Sequence, residues 1–215
     1  MSYQFLRLGL LTLASACAAW AQAADTTYQV RYFSNLNLGD SVINISNTGA
    51  RGNVGLAAGT TAATPGAICV NVYAFSPDEQ MISCCSCPVT PNGLVSLSVR
   101  QDLISNTLTP AVPTSIVVKL LASVPVASSC SNSAAAPGTL TTGMVAWGTT
   151  VKPPVVAGTP NATVETDFLP GTLSIIGTNN ELNRLTRLCT FIAANGSGFG
   201  VCRSCRLGGL GGSRE

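Results

Sequence analysis

Cysteine is the residue with the most chemistry to offer in this chain, and its spacing is uneven. Cys84-Cys85-Ser86-Cys87 packs three thiols into four consecutive positions, and Cys202-Arg203-Ser204-Cys205 places two more three residues apart. Paired cysteines roughly two to four residues apart serve structural zinc sites. The tail pair has that spacing, but the adjacent Cys84 and Cys85 fit it poorly. Thiol–disulfide exchange favours a CxxC motif at a helix start, where the dipole lowers a thiol pKa. Here the motif follows a glycine-rich turn, Gly196-Ser197-Gly198-Phe199-Gly200, and precedes Leu207-Gly208-Gly209. Structural bridges are the plainer reading. Adjacent half-cystines point in different directions and take different partners, so a Cys84–Cys87 loop would tie two elements at once. The C-terminal tail is then clamped to Cys189 or to that loop, each bond adding about 2–4 kcal/mol.

The other reactive groups are sparse. There is no histidine, which excludes a Ser-His-Asp triad and an HExxH zinc site. Asp78 and Glu79 are neighbours in a predicted turn, and Glu165 and Asp167 share one face of a predicted strand. Such pairs suit acid–base hydrolysis or calcium binding, but no DxDxDG pattern accompanies them, and solvated strand and turn positions account for them. Asp40 is read as a turn residue. Trp147, Tyr28, Tyr32 and Tyr73 could stack on sugars and are read instead as core and strand residues. Asn44, Asn161 and Asn195 head Asn-x-Ser/Thr sequons. We assign no catalytic, cofactor-binding or metal-binding residue from these groups.

The compartment decides among the cysteine readings. Residues 1–23 have the parts of a secretory signal: Arg7, an apolar run from Leu8 to Ala19, and Ala21-Gln22-Ala23 as a small-x-small cleavage site. The apolar run is short for a membrane span of about 20 residues. Lipidation at Cys17 is a weaker alternative, because Ala14 stands where a larger apolar residue is usual. Of the nine cysteines, Cys17 falls inside this leader. Cys69, Cys84, Cys85, Cys87, Cys130, Cys189, Cys202 and Cys205 remain, an even set that reads as a disulfide framework in an exported chain.

Residues 24–215 are expected to form a single domain. Charged residues make up 9% against roughly 25% in an average soluble protein. The net charge of +2 leaves no electrostatic footprint for nucleic acid. Short β-rich runs recur between Gly, Pro and Asn clusters. They are Tyr28–Tyr32, Val42–Asn47, Ile68–Phe75, Leu94–Val99, Ile116–Leu121, Met144–Val151, Val164–Leu169 and Leu173–Ile176, the last two flanking a turn at Pro170-Gly171. Arg51–Gly66 and Ala127–Thr142 read as loops. One amphipathic helix is predicted over about 179–194, with Thr178 as N-cap in a Thr-x-x-Glu capping box. Leu182, Leu185, Leu188, Cys189 and Ile192 form its inner face, and Asn195-Gly196 ends it. A tail, 195–215, follows. The fold class expected is all-β: a mainly antiparallel sandwich of about eight strands with one C-terminal helix and a disulfide-clamped tail.

The stretch from Ile68-Cys69-Val70-Asn71-Val72-Tyr73 through Cys84-Cys85-Ser86-Cys87-Pro88-Val89-Thr90-Pro91-Asn92-Gly93 resembles segments of exported, cysteine-rich bacterial β proteins. The tail Ala194-Asn195-Gly196-Ser197-Gly198-Phe199-Gly200-Val201-Cys202 resembles the same group. The resemblance covers about a quarter of the chain and implies a bacterial exported protein, with no activity attached.

Three function classes follow as expectations. The first is a secreted, periplasmic or cell-surface structural or interaction protein, non-enzymatic, without cofactor or stable membrane span, and inclined to self-association or to binding other surface proteins. The second is an extracellular module for glycans or small ligands. The least favoured is a secreted hydrolase or thiol oxidoreductase.

Overall fold

The computed structural model describes residues 26–50, 66–126 and 129–206. The expected leader 1–23 with Cys17, and the expected loop residues 51–65, lie outside the described residues. Within them the chain forms ten strands in order, β1 (Tyr28–Phe33), β2 (Val42–Asn47), β3 (Ile68–Phe75), β4 (Met81–Val89), β5 (Leu94–Ser98), β6 (Ile116–Ser123), β7 (Met144–Lys152), β8 (Ala162–Asp167), β9 (Leu169–Pro170) and β10 (Gly200–Val201). Helices α1 (Glu181–Ala194) and α2 (Arg203–Arg206) flank β10. A six-stranded sheet runs β10-β4-β3-β6-β1-β9, and a four-stranded sheet runs β5-β2-β7-β8. Every pairing is antiparallel except β10 on β4. The mainly antiparallel architecture with one substantial helix is the one expected. The surplus over eight strands comes from the two-residue pieces β9 and β10.

Strand period explains the layering. Side chains alternate across a sheet, and β3 is buried along its whole length because both of its faces are covered. Val70, Val72 and Ala74 join Phe33, Ile43, Ile45, Val118 and Leu120 in the core between the sheets. Tyr73 and Phe75 point the other way, into a second core beneath α1. Three layers result: the four-stranded sheet, the six-stranded sheet and the helix. Full burial of each such aliphatic side chain stabilises the fold by about 1.5–3 kcal/mol.

Helix α1 begins two residues later than the capping pattern predicts. Asn180, not Thr178, is the N-cap, and its Oδ1 accepts the Asn183 N–H at 2.8 Å. The turn before it fixes this choice. Gly177 takes φ 86°, and the Asn180 amide donates back to its carbonyl at 2.5 Å. Leu182, Leu185, Cys189 and Ile192 are buried against Tyr28, Tyr73 and Phe75, and Leu188 is half-buried at the margin. The helix ends at Asn195-Gly196, with Gly196 in the left-handed region, φ 87°.

Further expectations are corrected. Leu173–Ile176 forms no strand, and Pro170-Gly171 is not the turn of a hairpin. Instead Leu169 and Pro170 pair with Val30 and Gln29 of β1. The chain leaves one sheet at Asp167, tucks Phe168 into the core 5.9 Å from the Phe33 ring, and joins the other sheet. Cys84–Cys87 lies on strand β4 rather than in a loop. Tyr28, Tyr32, Tyr73 and Trp147 all lie on strands, as expected; Tyr28 and Tyr73 are buried, Trp147 is half-buried and Tyr32 is 58% exposed. Val99–Ile104, finally, winds into a π-helical turn that the sequence reading passes over.

Candidate functional site

Strand β4 carries three of the bridges. Its period of two sends Cys84 toward α1 and Cys85 and Cys87 into the inter-sheet core. A bulge lies just before them. Ala74 pairs with Ser83 but Phe75 pairs with Met81, so Ile82 is the extra residue, and Met81 and Cys84 both face the helix. Cys84 bonds Cys189 of α1, Cys85 bonds Cys202 and Cys87 bonds Cys205, with Cα–Cα distances of 5.8, 4.9 and 5.6 Å. Cys69 of β3 bonds Cys130 in the loop before β7. The adjacent cysteines take different partners, as their opposite directions require. Of the two clamps expected for the tail, the Cys84–Cys87 segment is the one used.

A ring of polar contacts seats the tail beside the bridges. Ser197 Oγ donates to the carbonyl of the bulged Ile82 at 2.6 Å. Asn106 Nδ2 donates to the carbonyls of Gly196 and Gly198 at 3.1 and 2.7 Å. Gly198, at φ 76°, lies against the backbone of Cys84 so closely that a Cβ would collide with its carbonyl oxygen. Asp102 completes the seat. It is fully buried, accepts the Ser98 N–H at 2.9 Å, and accepts the N–H and Oγ–H of Ser204 at 2.8 and 2.6 Å. Sequence reasoning passed over Asp102. The signal was Ser98-Val99-Arg100-Gln101, a Ser-x-x-Gln start in which Ser98 Oγ accepts the Gln101 N–H at 3.0 Å.

The chemistry available to this cluster is narrow. The Sγ atoms of Cys87, Cys202 and Cys205 lie within 4.8 Å of one another. All three are bridged, and metal ligation or nucleophilic exchange requires a thiolate. The carboxylates are not brought together. Asp78 and Glu79 sit in the β3–β4 turn, where the Glu79 N–H donates to Ser76 O at 3.0 Å and its φ is 64°. Glu165 and Asp167 lie on β8 of the other sheet, opposite Thr149 and Trp147. Asp40 accepts the N–H groups of Ser41 and Arg100 at 2.8 and 2.9 Å, as a turn residue does. The aromatics share no platform, since Tyr28 and Tyr73 lie under α1 while Trp147 is on β7 of the other sheet. Of the sequon asparagines, Asn161 and Asn195 are exposed, and Asn44 is half-buried on β2.

Two surface features remain. A groove of about 410 Å³ runs beside α1, lined by Thr178, Asn180, Arg184, Arg187, Leu188 and Phe191, with Phe191 60% exposed. At the far end of the molecule, β8 closes the four-stranded sheet with all six residues exposed. A buried arginine holds it there. Arg31 of β1 reaches across the sandwich, its Nε and Nη2 donating to Thr166 Oγ1 at 3.1 and 2.9 Å and its Nη2 to Thr150 Oγ1 at 3.0 Å. The guanidinium lies 4.2 Å from the Phe33 ring centroid, and burial lowers its pKa. Gly148 leaves room for it, since a Cβ there would stand 2.6 Å from Nη1 and 2.8 Å from the Val42 carbonyl.

Comparison with protein-family models, with curated proteins and with solved structures finds no match. Among the described residues no helix is long and apolar enough to cross a membrane.

Proposed function

We propose that this is an exported, non-enzymatic structural or surface-interaction protein of the cell envelope or extracellular space, with 24–215 as one disulfide-fastened domain. The bridges carry this reading. All eight cysteines outside the leader are joined in pairs, and three of the pairs fix one strand to elements on both of its faces. Such a framework persists in oxidising surroundings and is rare in reducing ones. It leaves no thiol for metal or exchange chemistry, and the two carboxylate pairs stand on different sheets. Cell fractionation with non-reducing mass spectrometry tests the reading. The expected product is a chain beginning at Ala24, outside the cytosol, with four bridges and no alkylatable thiol. Recovery from the cytosol with the leader attached and the thiols reduced would overturn it.

The groove beside α1 favours a second reading, a module for a glycan or small ligand. Its volume falls in the range of about 300–1,000 Å³ typical of ligand pockets, and Phe191 offers an aromatic face beside Arg187. Saturable calorimetric binding of a sugar, abolished by Phe191→Ala, would favour this reading over the first.

A further inference from the structure

We propose that β8 is the docking edge for a second copy of this chain, paired antiparallel about a two-fold axis with Val164 opposite Val164. The inference rests on the surface-interaction reading above and names its partner. Among the described residues, β8 is the last strand of its sheet and is longer than the two-residue strands that end the other sheet. The opposite edge, β5, packs against α2 and the π-helical turn. Proteins usually blunt a free edge with charged side chains, lysine above all, or with proline, a bulge or extreme shortness. Residues 162–167 contain no proline and no lysine, their two charges are the carboxylates Glu165 and Asp167 at one end, and their ladder with β7 runs without a register shift. Val155, Val156, Val164, Leu169, Ile175 and Ile176 are exposed apolar residues of the single stretch that carries β8 and β9.

The direction of the free backbone groups follows from one hydrogen bond. The Phe168 N–H donates to Ala146 O at 2.9 Å, next to the register pair Trp147 and Asp167. Bonded residues alternate along an antiparallel ladder. Thr166, Val164 and Ala162 therefore turn their N–H and C=O groups toward β7, and Thr163, Glu165 and Asp167 turn theirs outward. Pro160 falls on the inward parity, so its missing N–H costs the outer edge nothing.

Charge then selects the register. Centring the two-fold axis on Glu165 would set two glutamates face to face, and the next shift would set Glu165 against Asp167. Like charges directly opposite are destabilising. Centring on Thr163 carries Glu165, Thr166 and Asp167 past the end of the partner strand. Centring on Val164 places Thr163 opposite Glu165 and carries only Asp167 past the strand, to Asn161, so a hydroxyl and an amide face each carboxylate. The two Val164 side chains meet in a non-hydrogen-bonded pair, the closer of the two kinds. The net charge of +2 adds little repulsion between copies. An edge of six residues buries less than the roughly 1,200 Å² of a stable interface, so the dimer dissociates on dilution.

The test uses the oxidised mature protein in sedimentation velocity over a wide concentration range, with three variants. Concentration-dependent dimers are expected. Thr163→Pro removes an outward N–H from each copy and weakens the dimer about tenfold or more, with thermal melting as the check on folding. Val164→Cys cross-links two copies under mild oxidation, whereas Thr163→Cys, facing Glu165, does not. A monomer at every concentration, or a dimer in which Val164→Cys fails to cross-link, overturns the interface. Either result obtained with a chain recovered outside the cytosol with four bridges leaves the proposed function standing, whereas a reduced cytosolic chain removes that reading itself.

Discussion

Strands β4 and β8 lie toward opposite ends of their sheets and are finished in opposite ways. β4 is buried along nearly its whole length, capped by β10, and fastened by Cys84, Cys85 and Cys87 to α1 and the tail. β8 is exposed at every residue, and among the described residues a buried side chain, Arg31, tethers it through a pair of bonds to Thr166. The difference is one of kind. Covalent closure of chain segments separated by 105, 117 and 118 residues acts largely by restricting the unfolded chain. A hydroxyl–guanidinium bond acts only in the folded state and contributes about 1.5–3 kcal/mol. One end of the molecule is fastened covalently, and the other is held by hydrogen bonds alone among the described residues.

The largest expected effect breaks the comparison outright. Reduction of all four bridges removes several closures worth about 2–4 kcal/mol each. At about 2–4 °C per kcal/mol for a domain of this size, calorimetry should record a melting point lower by tens of degrees. Indifference of melting to a dithiol reductant would mean that β4 is held by packing alone and that the two ends do not differ.

Gly198→Ala sharpens the contrast without touching a sulfur. It forces a Cβ against the Cys84 carbonyl at a left-handed φ, a strain of about 1–3 kcal/mol. Hydrogen exchange should quicken in β10 and α2 and stay unchanged in β8. Equal loosening at both ends would show that the tail and β8 behave as one unit.

At the other end, Thr166→Val deletes the hydroxyl that accepts two bonds from Arg31. The buried guanidinium then keeps Thr150 as a partner, at a cost of about 1–3 kcal/mol. Exchange should quicken in β8 first, with the bridges intact by non-reducing mass spectrometry. Protection unchanged in β8 would locate its tether in the β7 ladder rather than in Arg31.

These two ends also differ in how far the sequence discloses them. Ile43 and Ile45 announce a strand by alternation, and the apolar run Ile68–Phe75 announces a strand covered on both faces; both stand as expected. The Cys84–Cys87 segment has neither signal, because serine, cysteine and proline interrupt the apolar pattern, and only the ladder with β3 makes it a strand. Asp102 meets Ser204 across a separation of 102 residues, which no local pattern encodes. Arg31 fails for the same reason, since its partners Thr150 and Thr166 belong to another sheet. Leu173–Ile176 has the composition of a strand but no neighbour to pair with, once β9 has taken the free side of β1. Local chemistry discloses which cysteines are bridged but not their partners; tertiary placement decides those pairings and which edge is left uncovered.

The smallest effect separates the ends by proton rather than by sulfur. Burial alone would raise the pKa of Glu181, but hydrogen bonds from Arg184, at 2.8 Å, and from Lys119 outweigh it and hold the carboxyl below its ordinary value of 4.5. A carboxylate depressed in the folded state binds its proton more readily when unfolded. Its stabilisation is therefore complete above the ordinary carboxylate range and is lost as pH falls through the lower, folded value. The pair is partly exposed, so the loss stays below about 1 kcal/mol. It falls on the first turn of α1, because the Cys84–Cys189 bridge holds the helix further along. The hydrogen bonds of the Arg31–Thr166 tether contain no carboxylate, and Glu165 acts on Arg31 only through space, so the tether is expected to follow pH less. Thermal melting of Glu181→Gln should thus lie below that of the parent at neutral pH and converge with it in acid. Parallel curves with a constant gap would assign the Glu181 contribution to packing, and the two ends would then share one response to pH.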